Sequence, residues 1–263
     1  KSLFLLIGVS GITLIVGTGT AWLVSNFDFF GKRFFEWALI LPLSIPPYIL
    51  AYTFTGLFDS YGTLNNLIRD IFDLNQSFVF FPNVRNIYGA IIVFSFTLYP
   101  YIYLVSRSAF LNQSRSILES GRILGLNRFE ISFKLAMPMI RPAVIGGLML
   151  VTMETLSDFG AVEHFAIPTF TTGIFRTWYG MGDLMTAMQL SSFLLLFICI
   201  FLFIENKTRK NAAYVSDSST HTPIKVEKLS LGYSLLGFVF CSIPLLIGFV
   251  LPVSELAIWA IYY

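Results

Sequence analysis

Six stretches of this sequence are each long and apolar enough to cross a lipid bilayer, and no other feature limits its fold as strongly. Hydrocarbon offers no partner to backbone N–H and C=O groups, so a spanning helix satisfies them internally. At about 1.5 Å per residue a helix needs about 20 residues to cross a core of about 30 Å. The runs Leu3–Val24, Trp37–Phe58, Ile87–Val105, Pro142–Phe159, Leu184–Ile204 and Leu229–Val253 all have helical length, the fourth being the least apolar. The expected fold class is therefore all-α, a polytopic transmembrane helical bundle of about six spans. Composition agrees, with 56% hydrophobic and 12% charged residues where soluble domains carry about a quarter charged.

Lys and Arg collect in cytoplasmic loops, which fixes the orientation of such an array. Thirteen of the seventeen basic residues fall in alternate connections: Lys32, Arg33, Arg107, Arg115, Arg122, Arg128, Lys134, Arg141, Lys207, Arg209, Lys210, Lys225 and Lys228. The other four are Lys1, Arg69, Arg85 and Arg176. The larger set marks the cytoplasm, so the loops Asp59–Asn86 and Gly160–Asp183 face outward. Trp22, Trp37, Tyr61, Tyr88, Trp178 and Tyr179 lie near span ends, where amphipathic rings prefer the headgroups. The basic residues form no continuous face, which excludes a nucleic-acid partner. Cys199 and Cys241 sit in separate apolar runs without Cys-x-x-Cys spacing, and read as small packed residues rather than metal ligands or a disulfide. The chain opens at Lys1 directly into an apolar run with no cleavage site, so a longer N-terminus is expected.

Pro42, Pro46 and Pro47 interrupt the second span and remove backbone donors, which forces a kink or a break. Broken helices persist in lipid where protein or a water-filled cavity satisfies the freed carbonyls. Pro46 and Pro47 are thus either a packing kink or candidates for the wall of a translocation path.

Between the third and fourth spans, Ser116 to Pro138 is too polar for lipid and too periodic for an irregular loop. Ser116 with Glu119 forms a capping-box pattern, and Gly125 stands where a left-handed cap would end a first short helix. Asn127 with Glu130 repeats the start signal. Phe129, Phe133 and Met137 then recur every four residues on one face, with Pro138 near the end. Such a surface lies on the bilayer or docks into a groove of a soluble partner.

Here the order Glu119-Ser120-Gly121, three residues, Gly125, nine residues, Leu135-Ala-Met137-Pro138 resembles the EAA loop of binding-protein-dependent ABC importer permeases. That loop reads Glu-Ala-Ala, three residues, Gly, nine residues, Ile-x-Leu-Pro, and forms the helix that couples the permease to its ATPase. This chain departs from it at Ser120, Gly121, Leu135 and Met137, all small or apolar exchanges. The resemblance implies docking to ABC ATPase subunits through Glu119, Ser120, Gly121, Gly125, Leu135, Met137 and Pro138. It also implies alternating access, a periplasmic substrate-binding protein, and membership of the bacterial inner membrane as a multi-pass protein among its lipids. The chain has no Gly-x-x-x-x-Gly-Lys-Ser/Thr cradle for nucleotide phosphates, so ATP is expected on the partner and no cofactor on this chain.

The resemblance extends over about Gly31 to Ile204. Leu41–Ala51, Met153–Gly160 and Thr169–Trp178 look like ferric-iron importer permeases, in which one polypeptide usually carries two homologous halves. On that basis residues 1–204 form a first transmembrane half, 205–228 a cytoplasmic linker with its least ordered part at Ser216–Thr222, and 229–263 the start of a second half. Without that second half in the same polypeptide, a dimer would be needed.

Glu154 and Asp158 are expected at i and i+4 on one face of the fourth span, where an ionised carboxylate costs several kcal/mol unless paired or facing water. They are candidates for a cation path with transient metal contact, joined by Glu163 and His164. The alternatives are headgroup contact or an ion pair with Arg176. Carboxylates suit iron(III), and polyamines equally. Sulfate or phosphonate cargo, a gradient-driven transporter and a channel are the competing transport readings. An intramembrane enzyme has no His-Glu-x-x-His pattern or paired nucleophile and base to support it.

Overall fold

A computed structural model describes every residue except 74, 76, 77, 82, 113–120, 122, 124, 126, 211–226 and 263. Five helices among the described residues are long and apolar enough to cross a membrane, or six if the broken second segment counts as one span. The chain runs through α1 (Ser2–Asn26), α2 (Lys32–Ala38), a 3-10 turn (Leu41–Ser44), α3 (Pro47–Phe58), α4 (Thr63–Phe72) and α5 (Ile87–Leu111). After the polar loop come α6 (Arg128–Ile131), a π turn (Ser132–Ala136), α7 (Met137–Ser157), α8 (Gly160–His164) and α9 (Phe170–Phe175). A second π turn (Arg176–Gly180), α10 (Leu184–Lys210), α11 (Leu231–Leu245), a third π turn (Leu246–Val250) and α12 (Leu251–Tyr262) complete the order.

The centre of the bundle is α5, with 72% of its most apolar window buried, against 6% in α10. Its neighbours on either side are α1 and α7. Lipid gives no hydrophobic drive for helices to associate, so close approach through small residues supplies the contact. A Cβ on Gly17 of α1 would stand 2.8 Å from the Ile102 Cβ and 2.9 Å from the Tyr99 carbonyl oxygen; one on Gly147 of α7 would stand 2.9 Å from the Ile102 Cα. Two glycines therefore clasp α5 at Ile102.

The second span breaks as its prolines require. Ile45 is extended and α3 starts afresh at Pro47, so that the segments Lys32–Ser44 and Pro47–Phe72 meet at 92°. The tightened turn diverts two amides: the Ile40 N–H bonds to the Trp37 carbonyl and the Leu43 N–H to the Ile40 carbonyl. This frees the carbonyls of Glu36 and Leu39, which buried hydroxyls from α5 take up, Tyr103 donating at 3.0 Å and Tyr99 at 2.9 Å. Protein rather than lipid thus satisfies the broken backbone.

Charged groups sort to two ends. Arg107 approaches Glu36 at 3.6 Å at one end, while Arg85 approaches Asp59 at 3.8 Å and Arg176 approaches Glu163 at 3.3 Å at the other. A two-residue parallel pairing of Phe27–Asp28 with Glu227–Lys228 ties the α1–α2 connection to the start of the last span. α10 continues to Lys210, past the expected linker start at residue 205, and linker residues 211–226, with Ser216–Thr222, lie outside the described residues. Cys241 is buried as expected, whereas Cys199 is exposed on α10.

Candidate functional site

Glu119 and Ser120 lie outside the described residues, as does the expected Ser116 cap. The rest of the polar loop is built from its glycines and one capping box. Gly121 is buried, and a Cβ there would lie 2.7 Å from Ile131 Cγ1 and 3.2 Å from Leu135 Cδ1. Gly121 thus meets Ile131 and Leu135 where only a hydrogen fits. Gly125 adopts φ +74°, the left-handed conformation of a helix cap. Asn127 then opens α6 with a reciprocal box: its Oδ1 accepts from the Glu130 N–H at 2.9 Å, and its N–H donates to Glu130 Oε2 at 3.0 Å. Lys134 Nζ meets Glu130 Oε1 at 3.0 Å, and with the backbone donor at Asn127 it holds the Glu130 carboxyl below its usual range.

The second arm does not end near Pro138. The helix that carries the fourth span begins at Arg128 instead of Pro142, because α6, the π turn and α7 run on continuously, and its membrane-capable part starts at Ser132. Pro138 is in the first turn of α7, where its ring would press on the carbonyl four residues back in a regular helix. The wider turn resolves that conflict, with the Met137 N–H bonding to the Ser132 carbonyl, five residues back. Leu135 and Met137 are half-buried, Met137 against the cluster around Tyr99 and Tyr103, so both tie the loop to the bundle. Phe133 is 60% exposed with its ring centroid 5.8 Å from that of Trp22 at the end of α1. Ile123, which the sequence pattern did not single out, is 86% exposed between the two loop glycines.

At the opposite end the structure corrects the shared helical face of Glu154 and Asp158. α7 ends at Ser157 and Asp158 is extended (ψ 134°). Its Oδ1 accepts from the N–H groups of Ala161 at 2.9 Å and Val162 at 3.3 Å, so that Asp158 closes the first turn of α8. Asp is a favoured residue at such a start, and this local competition ends α7. Glu154 remains on α7, exposed, and accepts from the Tyr101 hydroxyl at 3.2 Å. Arg176 pairs with Glu163 rather than with Glu154 or Asp158.

The restart of the broken span meets this turn. Tyr48, directly after Pro46 and Pro47, packs on Gly160, where a Cβ would come within 3.1 Å of the ring. His164 Nε2 lies 2.7 Å from Thr55 Oγ1, with the rings of Tyr48 and Tyr52 edge-on at 6.2 and 5.6 Å. Burial, with Arg85 nearby, holds the imidazole below its ordinary value. Among the described residues no group of three or more His, Cys, Asp or Glu is placed to hold a metal ion. The geometry offers single polar contacts along a surface at this end, and at the other the capped start at Asn127 and Glu130.

Residues 12–211 match the profile of the binding-protein-dependent transport system inner membrane component family. The chain is 28% identical over 99% of its length to an Fe(3+)-transport system permease protein of Haemophilus influenzae, of which it spans 47%. It is 24% identical over 78% of its length to a putative molybdenum transport system permease protein of Bacillus subtilis, covering 91% of that protein. A sulfate transport system permease protein of Salmonella typhimurium is 23% identical over 58% of the chain and is covered over 52%. These relatives are transport permease components rather than enzymes. A family match over most of a chain that carries five or six membrane-capable helices makes this protein a member of the binding-protein-dependent transport system inner membrane component family.

Proposed function

We propose that the chain is the first half of a ferric-iron import permease, which takes its cargo from a periplasmic binding protein and is driven by separate ATPase subunits. The observation that carries the cargo reading is Glu154, a carboxylate exposed on a membrane-spanning helix and steadied by Tyr101. A charge in that position is stable where water or a passing cation reaches it. The iron-transport relative supports the same reading, since it aligns with nearly the whole chain. The path is lined by Glu154 and by the α3 restart at Pro46 and Pro47, while Asp158 holds the adjoining turn. Residues 229–263 belong to a second half that completes the pathway.

On the cytoplasmic side the loop through Glu119, Ser120, Gly121, Gly125, Leu135, Met137 and Pro138 docks in a groove of the ATPase. The exposed Ile123 supports this reading as an apolar anchor, close to the point where Gly121 fits against Ile131. Movement of the docked loop passes to the fourth span through the continuous helix from Arg128 to Ser157, and drives alternating access.

The test is uptake of iron(III) by the assembled transporter carrying Glu154→Gln. A charge-assisted contact contributes roughly 1.5–3 kcal/mol, so uptake falls by about ten- to a hundred-fold. The molybdenum relative, matched over most of its own length, favours a second reading with an oxyanion as cargo. An oxyanion is repelled by Glu154, so in that case Glu154→Gln leaves uptake unchanged or raises it, and molybdate rather than iron accumulates.

A further inference from the structure

We propose that α4, in the outward loop between the second and third spans, lies on the outer surface of the lipid bilayer with one face in the acyl boundary. Its residues face the wrong way for water. Asn65 and Arg69 are 1% and 7% exposed, whereas Leu67, Ile71 and Phe72 are 53%, 65% and 68% exposed. Beside them Tyr61 is 79% exposed. Soluble surfaces rarely gather apolar side chains in this way.

Hydrogen bonds fix that rotation of the helix. Asn65 Nδ2 donates to the Asp59 carbonyl at 2.9 Å, and its Oδ1 accepts from the N–H groups of Phe80 at 3.1 Å and Phe81 at 3.2 Å. Arg69 donates from Nε to the Phe78 carbonyl at 2.9 Å, from Nη1 to Asn66 Oδ1 at 2.8 Å, and from Nη2 to the Ser60 carbonyl. Turning Leu67 and Ile71 inward would strand an amide and a guanidinium, each already placed among backbone partners. The polar groups of the loop organise its interior, and the apolar groups are left for its surroundings.

Depth makes lipid that surrounding. α3 ends at Phe58, and the Gly62 N–H bonds back to the Asp59 carbonyl at 2.7 Å while Asn65 reaches the last carbonyls of α3. α4 is therefore held within a turn or two of the end of a spanning helix. The headgroup zone on each side of the hydrocarbon is about 5–8 Å deep, so a helix tethered this closely stays at its level. An interfacial helix buries its apolar face about 5–10 Å into that boundary. Arg69 is committed inside the loop, and the nearest further charges on the helix and its cap are Asp70 and Asp73. The contact therefore depends on apolar burial and the tether, not on attraction to anionic headgroups.

Nitroxide labels test the placement in the full-length permease reconstituted in phosphatidylcholine vesicles. The background is Cys199→Ser, since Cys199 is exposed and Cys241 is buried. Labels at Ile71→Cys and, independently, Leu67→Cys are expected to collide more with dissolved oxygen than with a water-soluble nickel chelate. A label at Asp70→Cys, on the same turn, is expected to reverse that order and so report a folded helix. Chelate collisions at Ile71 and Leu67 as frequent as at Asp70 would place the helix in water and overturn the proposal. Low collision rates with both reagents at Ile71 and Leu67 would also overturn it, because another protein surface would then cover the face.

Discussion

In α12, Glu255 is fully buried and its Oε1 accepts from Thr63 Oγ1 at 2.7 Å, while its Oε2 has no hydrogen-bond partner among the described residues. Thr63→Val removes that donor and leaves the carboxyl isolated, a change that costs about 1–3 kcal/mol. Thermal unfolding in detergent should register the loss, and Thr63→Ser should recover most of it. His164 gives a pH signature. Its folded value lies below the ordinary 6.5, so its contribution is full above 6.5 and is lost as pH falls through the folded value. His164→Gln should flatten that part of the stability profile between neutral and mildly acidic pH. Neither contact could be read from sequence, since Thr63 and Glu255 are 192 positions apart and His164 and Thr55 are 109 apart. Arg69 makes the same point: on charge alone it is a stray cation outside, whereas in the fold it organises the outward loop.

At the scale of elements, patterns that depend on neighbours along the chain were legible and those that depend on packing were not. The proline break and the Asn127–Glu130 box are local chemistry, and both stand where the residues put them. The continuous helix from Arg128 was hidden, because the polar residues of the loop masked a helix that runs without a break into the fourth span. The end of α7 at Ser157 was misread because Asp158 has equal spacing signals for a helix face and for a cap. Two predictions belong here. Gly121→Leu cannot fit against Ile131 and Leu135 and should abolish copurification with the proposed ATPase partner while the spans stay folded. Gly125→Ala keeps open space around it but must hold a left-handed backbone, at about 1–2 kcal/mol, and should weaken copurification less.

The whole molecule is a clasped trio of α1, α5 and α7 with a broken span on one flank and an unburied α10 on the other. Gly17→Leu or Gly147→Leu should separate that trio, measured as loss of a monodisperse species in detergent, whereas Gly11→Leu should have little effect because nothing lies within 4 Å of its Cβ position. The number of spans was legible because the bilayer imposes a length rule on each segment separately. The order of burial was not, since α10 is at least as apolar as α5 and differs only in having few neighbours within the described chain. The wide turn at Ser132–Ala136 adds a consequence at this scale. A π turn holds one residue more than the α-helix around it, so it sets the angular phase between the cytoplasmic arm and the fourth span. Replacing it with a regular α turn of the same number of residues would swing Arg128–Ile131 about 100° around the axis. The spans would keep their places while Arg128–Ile131 faced a different quarter of their surroundings.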